Sequence, residues 1–380
     1  MNAASRLKTR IVKKIEEITQ EEWESVYPKT LENYYFFKTL DESSFDQFSF
    51  SYILVYENNT LVGCTSCFIM DFHLDIAVSG LLKLFFRSVK KAFPGIINPK
   101  VVICGVPMGL GRIGMTGDSG EVVEAICGSL NKIAEEHKAA MIFFKDFTKV
   151  YEDRLKPLLS RGFSRIESFP YTEMNITFNS FDDYLKTLSR ASREGVKRNL
   201  KKTDAGKKID LEVKDKLADE ELLQVHGLYL QTYNKQEMGL EKLPLDFFKS
   251  ISRNMPKETR YFLWRIDGKL AAFALCLVSG DYFIDYYLGF DYALMDRYHL
   301  YFVRFRDLMK WCIAHGMKKY EMGVTSYESK RRLGFDFIRL YFYIKHRNKF
   351  INYLVAPLSR LMKPESFDPV FKQMNKDGVQ

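Results

Sequence analysis

Residues 52–67 read YILVYENNTLVGCTSC, and residues 261–276 read YFLWRIDGKLAAFALC. At an offset of 209 positions Tyr52 falls on Tyr261, Leu54 on Leu263, Leu61 on Leu270 and Cys67 on Cys276. Asn58-Asn59 then coincides with Asp267-Gly268. Both dipeptides suit a two-residue hairpin turn, whose central residues take positive φ. Each stretch therefore reads as an apolar strand, a tight turn and a second apolar strand. The parallel continues downstream. Helix-like Glu121–His137 precedes the apolar run Ala139–Phe144, as Leu300–His315 precedes Lys318–Met322. Both halves then reach a Gly-Phe turn, Arg161-Gly162-Phe163 and Leu333-Gly334-Phe335. One α/β (α+β) unit is written twice.

Working outward, a first domain is expected over 1–168, opening with a Thr19-x-x-Glu22 capping box ahead of Trp23. A crossover strand, Tyr171–Phe178, and a basic helix over 181–203 fill 169–208. The second domain spans 209–345. A tail over 346–380, with Pro357, Pro364 and Pro369, lies on the surface.

The length of 380 residues suits two cores. With 46% hydrophobic and 28% charged residues the chain is neither disordered nor low-complexity. Apolar runs such as Ala271–Val278 fall far short of the roughly 20 residues that span a bilayer. The opening Met1–Lys8 lacks a secretion signal's apolar stretch, and 6 cysteines are too few for a disulfide scaffold. A reducing cytoplasm is the expected compartment. The net charge of +9 is concentrated locally. Lys186, Arg190, Arg193, Lys197, Arg198, Lys201, Lys202, Lys207 and Lys208 face only Glu194 and Asp204 within that stretch. Such a run is either a solvated face or an anion-binding edge for tRNA phosphates, a nucleotide or acidic lipid headgroups; DNA is not an expected partner.

The order of motifs resembles the FemAB-like (or BioF2-like) branch of the GNAT acyltransferase superfamily. Three stretches carry the resemblance: Ile18-Thr19-Gln20-Glu21-Glu22-Trp23; the helix Tyr184-Leu185-x-x-Leu188-x-x-x-x-Arg193-x-x-x-Lys197-Arg198; and Tyr286-Tyr287-Leu288-Gly289 followed by Tyr320-Glu321-Met322-Gly323 and Tyr327-Glu328-Ser329-Lys330. The resemblance implies two tandem GNAT-like mixed-sheet domains joined by a basic helix. It implies transfer of an acyl group from an acyl-CoA-like thioester to an amine of a small molecule or peptide. The branch's other chemistry is aminoacyl transfer from tRNA. A degenerate module that binds RNA or membrane without catalysis is a third alternative. The superfamily's glycine-bearing pyrophosphate loop is missing from the second half, where the helix starts Arg297-Tyr298-His299-Leu300.

GNAT-type transfer needs a proton acceptor for the amine, a stabilised oxyanion and a proton for the leaving group. Glu321 is the candidate base, pointing opposite to Tyr320 and Met322 on a short strand. Tyr327 is the candidate acid, and Lys330 the candidate oxyanion stabiliser. Arg297 and Tyr298 are candidate substrate contacts; Asp285 and Tyr287, two apart on a strand, are expected on one face. In the first half Gly109, Gly111, Arg112 and Gly114 could cradle a donor's phosphates ahead of the helix carrying Glu121. Arg190, Arg193, Lys197, Arg198 and Lys201 form the anion-binding helix face. Cys64-x-x-Cys67 lacks a second pair and places its thiols on opposite faces of a strand, so no metal is expected. Residues 76–97 (IAVSGLLKLFFRSVKKAFPGII) and 341–362 mix aromatic, aliphatic and basic residues as interfacial helices do, which allows a membrane-peripheral position.

Overall fold

In the computed structural model, which describes residues 7–72, 99–116, 119–204, 208–235, 241–324, 326–359 and 371, the chain forms two units. The apolar segment 76–97 lies outside the described residues. The first unit takes 1–41, 45–170 and 339–380; the second takes 42–44 and 171–338.

The first unit starts with β1 (Leu7–Val12), β2 (Ser49–Glu57) and β3 (Thr60–Asp71), antiparallel in that order. The β2–β3 turn is Asn58-Asn59, with φ of 48° and 66°. β4 (Lys100–Cys104) adds antiparallel to β3, and the two-residue β5 (Gly114–Met115) pairs further along it. Helix α1 (Ser119–Glu136) crosses over to β6 (Met141–Thr148), which pairs parallel with β4. Val122, Val123, Ile126, Leu130, Ile133 and Ala134, at helical spacing, lay one face of α1 on Ile53, Val55, Val102 and Ile142. Thr19 caps the helix carrying Trp23 by accepting from Glu22 N at 3.2 Å.

β7 (Ser164–Asn175) leads into the second unit, followed by α2 (Phe181–Thr187) and α3 (Arg190–Asp204). The single helix expected over 181–203 is thus two. Leu188 adopts extended backbone, and Ser189 Oγ accepts from Ser192 N at 3.3 Å to start the second helix. Leu185, Leu188, Val196 and Leu200 are all buried, as their spacing suggests. β8 (Ile209–Lys214), α4 (Asp219–Tyr233) and α5 (Leu245–Asn254) come next. Then β9 (Thr259–Ile266), β10 (Lys269–Ser279) and β11 (Tyr282–Phe290) form an antiparallel meander. Helix α6 (Leu300–Ala314) crosses to β12 (Lys319–Glu321), parallel to β11. Short α7 (Tyr327–Arg332), β13 (Asp336–His346) and α8 (Lys349–Ser359) finish the described chain.

The second hairpin turns at Asp267-Gly268 with φ of 49° and 76°. Its details repeat those of the first at the same offset. Val55 pairs with Gly63 and Tyr56 with Leu61, leaving Val62 as a bulge; Trp264 pairs with Ala272 and Arg265 with Leu270, leaving Ala271. Val62 and Ala271 are 209 apart. A shared bulge is a strong mark of common descent, because bulges are kept within families. The outer strands agree as well: Leu7 faces Glu57 and Ile209 faces Ile266.

One feature departs from the boundary expected at 345. Glu173–Asn175, which follow the first Gly-Phe turn, pair with β12 in the second unit. Leu340–His346, which follow the second Gly-Phe turn, pair with β6 in the first. The strands of each unit are completed by the strand that follows the Gly-Phe turn of the other half of the sequence.

Candidate active site

The doubled pairing allows each position of one copy to be read against the other. Cys67 pairs with Cys104, and Cys276, its repeat partner, pairs with Asp285. Asp285 therefore stands where the first copy has Cys104. By the same register Tyr282 stands at Val101, Lys319 at Met141, Tyr320 at Ile142 and Glu321 at Phe143. On the exchanged strands Glu173 stands at Ile344. The first unit holds six apolar residues where the second unit holds six polar ones. Asp285, Tyr320, Glu321 and Glu173 are buried, Tyr282 is half-buried and Lys319 exposed. Burying polar and charged side chains costs several kcal/mol unless they are paired, by order of magnitude, so the four buried ones point to function. The second copy carries the candidate site.

The six residues divide between the two faces of the sheet. On the α6 face, Asp285 Oδ2 accepts from the Tyr320 hydroxyl at 3.1 Å and from the Arg304 guanidinium. The Arg304 and Asp285 side chains are 0% and 1% exposed. Among the described residues Asp285 Oδ1 and Arg304 Nε and Nη2 have no hydrogen-bond partner. Arg304 was not singled out from the sequence, yet it sits four residues from the buried Leu300 and four from the buried Leu308. A cation on the apolar stripe of a helix is the signal that identifies it.

On the opposite face Glu321 lies directly across from Glu173 on the antiparallel β7, both more than nine-tenths buried. The Tyr282 hydroxyl donates to Glu321 and reaches Glu173 at 3.3 Å, while Lys319 Nζ bonds Glu173 at 2.8 Å. Burial, and then the charge of Glu321, push the Tyr282 phenol well above its ordinary pKa. Glu321 does point away from Tyr320, as alternation requires. Two carboxylates side by side attract an ammonium and can accept its proton. Glu173 and Tyr282 are the residues that sequence reasoning missed here.

The structure gives several expected residues other work. Asp285 and Tyr287 do not share a face. Tyr287 pairs with Leu275 and Asp285 with Cys276, so Tyr286 is a bulge that reverses the alternation. Tyr287 instead donates to Glu241 at 2.8 Å, among Tyr229 and Phe247. Lys330 is buried, and its ammonium donates to the carbonyls of Met322, Gly323 and Val324 at 2.6, 3.1 and 3.1 Å. Those three bonds occupy all the hydrogens of the group. It fastens the loop after β12 rather than presenting a donor to an oxyanion. Burial pushes its pKa down to about 7; Arg304 acts in the same direction, and Asp285 and Glu321 pull against it. Tyr327 is buried with its ring on Phe337, a packing role. Tyr298 belongs to the core, its carbonyl accepting from Thr203 of α3 at 2.9 Å, while Arg297 is exposed beside that junction.

The glycine stretch of the first unit is closed by packing. A Cβ on Gly111 would lie 2.2 Å from the Lys145 carbonyl oxygen, and one on Gly114 2.7 Å from that of Val26. Gly109, at φ 127°, abuts Glu32, which also holds Arg112 through a 3.1 Å bond. These residues serve close approach within the protein, not an anion cradle. Cys64, Cys67 and Cys276 are buried, and burial pushes the Cys67 thiol up to about 12. Along α3, Arg190, Lys197, Arg198 and Lys201 are exposed and Arg193 half-buried. Among the ion pairs described, only Arg190 of these five has an acidic partner, Glu194 at 3.9 Å.

A family model described as FemAB-like, peptidoglycan biosynthesis/recognition, matches residues 97–354. The chain belongs to the FemAB-like family, and it is a transferase of the acyl or aminoacyl class. Among solved structures, the crystal structure of FemX aligns with a TM-score of 0.56 at 14% identity, covering 92% of this chain and 100% of that one. A tandem GNAT protein from the clavulanic acid biosynthesis pathway aligns at 0.51 and 10% identity, covering 89% and 98%. Both share the tandem GNAT fold. No curated protein sequence matches.

Proposed function

We propose that the second unit transfers an aminoacyl group from a tRNA ester to an amine on a cell-wall precursor peptide. The observation that carries this reading is the Glu173–Glu321 pair, which stands where the first unit has Ile344 and Phe143. An incoming ammonium is drawn between the carboxylates and gives its proton to Glu321. The freed amine attacks the ester carbonyl, the tetrahedral intermediate gives its surplus N–H proton to the neighbouring carboxylate Glu173, and it collapses to the amide with departure of the ribose oxygen. Tyr282, hydrogen-bonded to Glu321, is placed to relay a proton back to that leaving oxygen. Lys330 and the Asp285–Arg304–Tyr320 cluster hold the strands and the following loop in place.

The exposed cations of α3, with Arg297 beside them, favour a polyanionic donor. The packed glycine stretch of the first unit and the glycine-free start of α6 offer no comparable seat for a pyrophosphate. The family description, peptidoglycan biosynthesis/recognition, supports a peptide amine as acceptor. The second reading, an acyl-CoA donor, is favoured by one feature. β11 and β12 pair over only three residues before the Tyr286 bulge, a parting that suits an extended ligand arm.

The test compares donors. Thermal stability and filter retention are measured with uncharged tRNA and with CoA across a salt series. tRNA retention that falls steeply with salt, without a CoA shift, supports the first reading. A CoA shift with no tRNA retention supports the second.

A further inference from the structure

We infer that α8 is a membrane-surface anchor that seats the protein on an anionic bilayer. On this helix Phe350 is 74% exposed, Ile351 42%, Tyr353 79% and Leu354 48%. Asn352 alone in that run turns inward, donating to the Gly162 carbonyl at 2.8 Å. At 100° per residue Phe350 and Leu354 point opposite to Asn352, with Ile351 and Tyr353 on either flank. The contact with Gly162 brings in the turn that carries Leu159, itself 48% exposed. Four large apolar side chains on one short helix, facing solvent, form a patch that a soluble surface does not ordinarily keep.

Charge identifies the occupant. Lys345 and Lys349 flank the patch with no acidic partner among the described ion pairs, while Arg339 and Arg347 are paired with Glu167 and Glu135 at 3.7 and 3.1 Å. The helix itself, Lys349–Ser359, holds no Asp or Glu. A second protein surface would need an acidic counterpart and its own apolar patch. An anionic bilayer supplies both at once: phosphate headgroups for the cations, and an acyl boundary for Phe350 and Leu354, with Tyr353 at the headgroup level. The helix is too short to cross, and among the described residues no helix is long and apolar enough to do so. Its mode is to lie in the interface.

The experiment is flotation of the full chain with vesicles of phosphatidylcholine alone and of phosphatidylcholine containing one quarter phosphatidylglycerol. The wild type is expected to float with the anionic vesicles and to remain in solution with the neutral ones. The pair F350E and L354E replaces solvent-facing side chains, so the melting temperature stays within a degree or two while the floated fraction falls at least tenfold. K345Q with K349Q should weaken binding several-fold. If the wild type floats with neither vesicle, the inference is overturned. It is also overturned if F350E with L354E floats as the wild type does, because the α3 cations then do the binding. A dimer in solution that F350E disrupts, without flotation, identifies a second copy as the occupant and likewise overturns it.

Discussion

Replacing Asp285 by Asn tests the buried charge pair that distinguishes the second copy. The substitution keeps the shape and removes the charge. Arg304, 0% exposed, then remains charged in a site where Asp285 is the sole anion among its described bonds. Removing one partner of a fully buried pair costs about 3–5 kcal/mol, because the other charge stays desolvated. For a unit of this size about 1 kcal/mol lowers the melting temperature by ~2–4 °C, so D285N should melt ~6–20 °C lower. The first copy shows how such a position is filled without charge: it carries Cys104 there. Combining D285C with R304M should therefore recover most of the loss, since apolar replacement of a buried pair is often neutral or stabilising. The assay is urea unfolding followed by the fluorescence of Trp264 and Trp311, both in the second unit, in a W23F background. A loss below about 1 kcal/mol for D285N, or no recovery in the double variant, would refute the argument from desolvation.

The buried amine of Lys330 makes a pH signature. Its pKa is lowered to about 7 in the fold against 10.5 in the unfolded chain, so above pH 7 the unfolded state binds more protons and stability rises with pH. The difference in unfolding free energy between wild type and K330M should grow in favour of the wild type from pH 7 to 8.5; a flat difference contradicts the burial. Charge reversal of Lys197, Arg198 and Lys201 should leave the melting temperature unchanged and lower the slope of log K against log salt for tRNA by about 2–3 units. Retention measurements check this, and an unchanged slope would remove α3 from the interface. G111A should abolish folding of the first unit, read as loss of Trp23 burial, because its Cβ has no space against Lys145 and Phe147; a folded G111A would show that the stretch can yield to a ligand.

Much of the fold was legible because its decisive signals are local. Asn58-Asn59 and Asp267-Gly268 specify turns by their own backbone preferences, so the hairpins and their offset could be read directly. The strand exchange could not, because nothing in β7 or β13 states which sheet edge it will meet. Tyr287 shows a second limit: one bulge residue, Tyr286, reverses the alternation on which face assignments rest. Glu321 was legible as a strand residue pointing away from its neighbours. Its partner Glu173 was not, since the pair exists only through exchange of the strand after Phe163. Lys330 was found, but its role was misread. A buried ammonium turns to whatever acceptors surround it, and here those are three carbonyls of its own loop.

The most direct measurement is transfer of a labelled amino acid from a charged tRNA pool to amine-bearing cell-wall precursor peptides, comparing E321Q and E173Q with F143L. General-base removal typically costs 10²- to 10⁴-fold. The account predicts a drop of that order in kcat/KM for E321Q and a smaller one for E173Q, with tRNA retention unchanged and F143L as active as the wild type. Full activity in E321Q, or a loss in F143L matching it, would place the chemistry elsewhere and contradict the assignment of the site to the second copy.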